Sequence, residues 1–147
     1  MIPSLTLSGV LPPFTGASPV ARSSVSPYLV SPHDFVSRYC SSPERASLLV
    51  GLFEYRRELR AVGIVEGFQW IDGSFIEDAE KSRGRPPADI DIITFGGRPA
   101  GYAEKDAWAE WCAAHFAVWK GMIELPLASD DEAAMKILEG VLDGQTA

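Results

Sequence analysis

Cysteine, histidine and uninterrupted apolar sequence are scarce in this chain of 147 residues, which carries two cysteines and two histidines. Cys40 and Cys112 are too few for a disulfide framework, and neither has a Cys or His partner at zinc-finger spacing. Both read as reduced core thiols. His33 and His115 stand alone, and His115 falls on an aromatic helix face where packing explains it better than catalysis. No stretch approaches the roughly 20 apolar residues that span a bilayer. The opening Met1-Ile2-Pro3 lacks a basic segment, and Pro12 and Pro13 break any apolar run. The expected setting is the cytoplasm, with no membrane partner. Positive charge is short too: 13 Lys and Arg against 20 Asp and Glu give a net charge of -7. Such a chain has no general attraction to a phosphate backbone, which argues against long nucleic acid as its main partner.

What is present is globular. The composition is 46% hydrophobic and 10% aromatic, and the length suits one core. Residues 1–30, rich in Pro, Ser and Gly, predict an irregular N-terminal arm, and residues 31–147 a single domain. Ser31-Pro32 and Ser42-Pro43-Glu44 carry the N-cap and first-position proline of two helices. The first should run to about Tyr39. The second should run to Val62 before the stop at Gly63, with Leu48, Leu52, Tyr55, Leu59 and Val62 on one face. Arg56, Arg57 and Arg60 sit mostly off that seam and read as a solvated face, with a site for phosphate or an acidic partner as the alternative.

Gly67 to Asp72 predicts a strand, with Phe68 and Trp70 pointing one way and Gln69 and Ile71 the other. Residues 77–88 form a polar loop, with one turn of helix at its start. Asp89 to Phe95 predicts a second strand, built on Ile90, Ile92, Ile93 and Thr94. A helix is expected over 103–120, a short third strand over Met122 to Leu127, and a last helix that buries Ala134, Ile137, Leu138 and Val141. Asp130, Asp131 and Glu132 would complement that helix's positive end. Trp70, Trp108, Trp111 and Trp119 read as core. Helices and strands alternate, so the fold class is α/β (α+β): a small mixed sheet backed by helices.

Chemistry concentrates around the two strands. In Asp89-Ile90-Asp91 the strand period sends both carboxylates to one face. Side-by-side carboxylates are either solvated or neutralised by a cation. Mg2+ takes such oxygens at about 2.0–2.1 Å and fills its shell with water and phosphates. Two ions about 3.5–4 Å apart can clamp both oxygens of an in-line displacement. Gly73-Ser74 supplies a complementary half, because glycine admits a phosphate close to the backbone and the serine hydroxyl can donate to it. Asp72 reads as a cap of that turn, with metal binding as the alternative. Lys81, Arg83 and Arg85 have the chemistry to reach a triphosphate, against the competing reading of a solvated loop.

Gly73-Ser74, a spacer, then Asp89-Ile90-Asp91 resembles the signature of the DNA polymerase beta-like nucleotidyltransferases, over roughly residues 66–95. The segments Phe68-Gln69-Trp70-Ile71-Asp72-Gly73-Ser74-Phe75 and Arg85-Pro86-Pro87-Ala88-Asp89-Ile90-Asp91 are similar to an uncharacterised bacterial branch of that superfamily. The resemblance extends from Gly9-Val10-Leu11-Pro12-Pro13 through the helix at 43–62. It implies a nucleotidyltransferase-like fold, Mg2+ dependence and a nucleoside triphosphate such as ATP as donor. Phosphate would contact Gly73 and Ser74, and metal would bind Asp89 and Asp91. Small bacterial members often pair with a toxin, so a toxin-like protein is an expected partner. The spacer from Phe75 to Ala88 is slightly longer than the usual pattern. For the superfamily's third carboxylate, base or ligand, the candidate here is Glu124, which carries one methylene more than the usual Asp; the alternative is that the strand carrying that carboxylate is lost. Two functions follow. One is transfer of a nucleotidyl group to a protein, RNA or small-molecule acceptor. The other is the same fold without catalysis, a regulatory or antitoxin-like binding module.

Overall fold

The structure is a computed structural model of the chain and describes residues 2–16, 18, 20–21, 24–99, 101, 110 and 129–144. Both expected helix starts are present. The Ser31 hydroxyl accepts from the Asp34 N–H at 3.1 Å and opens α1, Pro32–Tyr39. The Ser42 hydroxyl accepts from the Arg45 N–H at 3.3 Å and opens α2, Pro43–Ala61. In each, the hydroxyl satisfies an N–H that the first helical turn leaves without a partner, and proline occupies a position that needs none.

Strand β1, Gly67–Asp72, pairs antiparallel with β2, Asp91–Gly96, in a register running from Gly67 opposite Gly96 to Asp72 opposite Asp91. The expected alternation holds: Phe68, Trp70 and Asp72 are exposed, while Gln69 and Ile71 turn toward the helices. On the second strand Ile92, and Ile90 just before it, pack on the core, whereas Asp91, Ile93 and Phe95 are exposed. The strand begins at Asp91 rather than Asp89, so strand geometry governs one of the two aspartates. A short 3-10 turn over Gly73–Ile76 and the helix α3, Ala79–Arg83, join the strands. The helix α4, Ser129–Leu142, packs against α1 and α2.

Among the described residues this is an α+β arrangement of four α-helices and a two-stranded antiparallel sheet. The helix expected at 103–120 and the strand candidate Met122 to Leu127 lie outside the described residues.

The core joins Phe35, Val36 and Tyr39 of α1, Ala46, Leu49, Leu52 and Phe53 of α2, Phe75 of the turn, and Ala134 and Leu138 of α4. On α2 the buried set centres on Arg45, Ala46, Leu49, Leu52 and Phe53 instead of the expected seam. The cause is that α2 has two neighbours. Its Leu48, Leu52 and Tyr55 flank faces β2 across a cavity of about 380 Å3, and its other flank meets α4. Tyr55 reaches the sheet through its hydroxyl, 2.9 Å from Thr94 Oγ1.

Arg56 and Arg60 are not a solvated face, because both guanidiniums hold Asp131, which is fully buried at the start of α4. Asp131 therefore meets specific cations within the chain in addition to the helix end. Arg56 also donates to Gln69 Oε1 at 2.6 Å, and Gln69 Nε2 donates to Thr94 Oγ1 at 3.1 Å. One polar chain thus ties α4, α2, β1 and β2.

Among the described residues of the N-terminal arm, Phe14 and Val25 form an isolated bridge. The arm is anchored beside the turn, where the Asp78 N–H donates to the Gly9 carbonyl at 2.8 Å. No helix among the described residues is long and apolar enough to cross a membrane.

Candidate functional site

The bend after β1 is built around two residues of opposite character. Gly73 adopts a φ of +75°, a left-handed conformation that costs an L-residue about 1–2 kcal/mol. Two positions on, Phe75 drives its ring into the helical core at 0% exposure, 6.0 Å from Phe35 and 5.9 Å from Tyr39 between ring centroids. Burying a phenylalanine stabilises by about 1.5–3 kcal/mol, so the bend is anchored by its own side chain. Ser74 lies between them, half-buried at the surface.

Asp91 reaches the bend. A β-carbon placed on Gly73 would overlap Asp91 Oδ2, so the carboxylate occupies the space that the missing side chain leaves. Sequence reasoning paired these positions, and the structure brings them together.

Asp72, read from the sequence as a cap with metal binding as the alternative, lies at the end of β1. It precedes the turn without capping it, since no side-chain hydrogen bond from Asp72 closes the turn. It stands directly across the ladder from Asp91, on the same exposed sheet face as Phe68, Trp70, Ile93 and Phe95. The signal was legible: Asp72 shares the parity of Phe68 and Trp70, and antiparallel pairing puts the end of one strand opposite the start of the next. Trp70, expected in the core, is 45% exposed on this face, with its ring 5.0 Å from Phe95.

Asp89 is separated from this rung. It lies just before β2, is exposed, and borders the cavity between the strand and α2 with Leu48, Leu52 and Tyr55. The joint direction expected of Asp89 and Asp91 needed a strand beginning two residues earlier. Glu124 lies outside the described residues.

The basic residues follow the turn. Asp78 caps α3 by accepting from the Lys81 N–H at 3.3 Å, and Gly84 ends it with a φ of +66°. Arg83 donates to Glu77 Oε2 at 2.8 Å, so its guanidinium is partly committed. Lys81 and Arg85 extend from the surface.

A residue without any sequence signal holds the bend from behind. Arg45, in the first turn of α2, is 3% exposed and donates to the carbonyls of Phe75 and Glu77 and to the Glu80 carboxylate. The hydrogen bond from Arg45 holds the Glu80 carboxyl below the usual glutamate range. Burial pushes the Tyr39 hydroxyl above its ordinary value, and the charges of Arg38 and Arg45 oppose that shift.

Among the described residues no three His, Cys, Asp or Glu side chains gather as a ready-made ligand set. The donors that do face one another, Asp72 and Asp91, are hard carboxylate oxygens at the surface. That chemistry fits a cation such as Mg2+, which keeps several waters and takes its remaining ligands from phosphate.

A helical core that carries an antiparallel strand pair, with an acidic rung set against a Gly-Ser bend, defines this small α+β protein. The chain belongs to a family described as a family of unknown function (DUF6932), whose model matches residues 3–137. No curated protein and no solved structure matches it significantly.

Proposed function

We propose that the protein is a Mg2+-dependent nucleotidyltransferase of the DNA polymerase beta-like kind, acting on a protein, RNA or small-molecule acceptor. The observation that supports this reading most directly is the contact between the Asp91 carboxylate and the Gly73 backbone. A hard anionic oxygen beside a Gly-Ser bend at the surface is what supports the reading. In this reading Asp91 and Asp89 hold Mg2+, with Asp72 contributing from the facing position. Mg2+ held by these carboxylates would supply positive charge to offset that of the triphosphate. The Ser74 hydroxyl, next to the position where Asp91 packs on Gly73, donates to a phosphate oxygen. Lys81 and Arg85 extend over the far end of the triphosphate, where Arg83 joins them if it releases Glu77. The acceptor's nucleophilic oxygen bonds to the α-phosphorus, the bond to the bridging oxygen of pyrophosphate breaks, and Glu124 takes the acceptor's proton. A toxin-like protein partner is the acceptor that the family resemblance favours, in the cytoplasm.

A second reading keeps the fold without catalysis, as a regulatory or antitoxin-like partner. The position of Asp89, beside the cavity at α2 and off the Asp72–Asp91 rung, favours it.

One experiment separates them. The protein is incubated with Mg2+, each of the four α-labelled nucleoside triphosphates, and candidate acceptors, including proteins that co-purify with it. The enzyme reading expects label on an acceptor and its loss in Asp91→Asn. Labelling that persists in Asp91→Asn rejects the site. Partner binding that survives both Asp91→Asn and chelation, without labelling, supports the silent module.

A further inference from the structure

We propose that Arg45 is a positioning residue for phosphate recognition: from inside the fold it holds the bend that presents Ser74 beside Asp91. This role rests on the phosphate-binding reading of that bend.

Taking a guanidinium out of water is costly, and it persists in a core when its donors are met by well-placed acceptors. Arg45 meets that condition. Nε and Nη2 grip the two oxygens of Glu80 at 2.7 and 2.9 Å. Nη1 donates to the Phe75 carbonyl at 2.7 Å, thirty residues away in sequence, and Nη2 also donates to the Glu77 carbonyl at 2.9 Å. The guanidinium carbon lies 5.1 Å from the centre of the Phe75 ring.

Stability alone gives little reason for this choice. Buried ion pairs are often replaced by apolar side chains of similar volume at no cost, and the neighbours here are Phe75 and Tyr39. The planar fork does what an apolar side chain cannot do. It joins two carbonyls of the bend and a carboxylate of the following helix through one rigid group.

The closing hydrogen bond of the bend is long, and the brace adds two further holds on its carbonyls. The Glu77 N–H reaches the Ser74 carbonyl at 3.3 Å. Ser74 is thereby held on both sides. The residue before it, Gly73, is packed by Asp91, and the residue after it, Phe75, is held at its carbonyl by Arg45. Loss of the brace leaves the Phe75 ring buried and the acidic rung intact while the Ser74 hydroxyl and its flanking N–H groups lose their fixed direction. Recognition by a few aligned donors is sensitive to displacements of about 1 Å.

The test uses the whole protein with inorganic tripolyphosphate and Mn2+ as separate probes, together with amide exchange at residues 74–77. Arg45→Lys keeps the charge but cannot span the three acceptors. The expected result is a folded variant with faster exchange at 74–77 and about tenfold weaker tripolyphosphate binding, and with Mn2+ affinity within about twofold of wild type. A residue that acts only through global stability moves both affinities together and does not give this split. Glu80→Ala, at a half-exposed site, is the second variant, and a loss of about threefold is expected in the same direction. Tripolyphosphate affinity at the wild-type level in either folded variant overturns the inference, as does unchanged exchange at 74–77 in Arg45→Lys. Wild-type protein that binds no tripolyphosphate overturns the phosphate reading itself, and the role of Arg45 with it.

Discussion

Asp91 and Gly73 compete for one volume: the carboxylate rests where a side chain at residue 73 would begin. Gly73→Ala therefore meets two penalties. The left-handed φ of +75° costs about 1–2 kcal/mol, and the new methyl displaces Asp91. The two are separable by a double-mutant cycle in urea. Gly73→Ala should be less destabilising in an Asp91→Ala background, because the overlap is gone and only the backbone penalty remains. Equal costs in both backgrounds reject the contact.

Asp72 faces Asp91 across the ladder, and like charges directly opposite one another destabilise a sheet by a few tenths to about 1 kcal/mol. Asp72→Asn is therefore expected to raise thermal stability slightly in chelator and, on the proposed reading in which the rung holds Mg2+, to diminish the rise in Tm expected on adding Mg2+. The signs are opposite because, on the proposed reading, the same pair that repels when bare would bind the cation. Asp89→Asn, outside the ladder, should leave the metal-free Tm alone and lower the Mg2+ response only if Asp89 shares the ion. An Asp72→Asn protein with the full wild-type response to Mg2+ removes Asp72 from the site.

Local chemistry carried the legible part of the fold. Ser-Pro caps marked both helix starts, and alternation marked both strands, because each signal is complete within a few residues. What escaped depends on partners distant in sequence. The α2 seam was read as one stripe because the spacing of Leu48, Leu52 and Tyr55 cannot reveal that a second flank meets α4. Arg56 and Arg60 read as solvent-facing because Asp131 lies at the far end of the chain. Of the site, Gly73, Ser74 and Asp91 were legible as a pattern. The place of Asp72 opposite Asp91 comes from ladder register, which no local signal in the sequence states, and Arg45 carries no motif at all.

Asp131 makes a stability prediction. It is fully buried, with Arg56 Nε at 3.3 Å and Nη2 at 3.1 Å from Oδ1 and with Arg60 at Oδ2. Removing one partner from a buried ion pair leaves the other charges uncompensated and typically costs about 3–5 kcal/mol. The arginines here retain some solvent, so Asp131→Ala should fall near the lower end, about 3 kcal/mol in denaturant titration. Arg60→Met should cost less, because Arg56 still compensates the carboxylate. If Asp131→Ala unfolds within about 1 kcal/mol of wild type, α4 is not held to α2 by this pair.

Glu80 and Arg45 link stability to acid. Hydrogen bonds from Arg45 hold the Glu80 carboxyl below the usual range in the folded protein, whereas in the unfolded chain it titrates near about 4.3. As pH falls through that value the unfolded chain takes up a proton that the folded chain still refuses. The stabilisation is therefore complete above the unfolded pKa and is lost as pH drops through the folded one. Glu80 is partly exposed, so solvent screening keeps the effect modest. Glu80→Gln keeps much of the hydrogen bonding without the charge, so its deficit relative to wild type should be visible at pH 7 and should shrink steadily between pH ~4.5 and the acid limit. Paired urea titrations of the two proteins across that range measure it. A deficit that stays constant with pH shows that the Arg45–Glu80 contact acts through packing and not through charge.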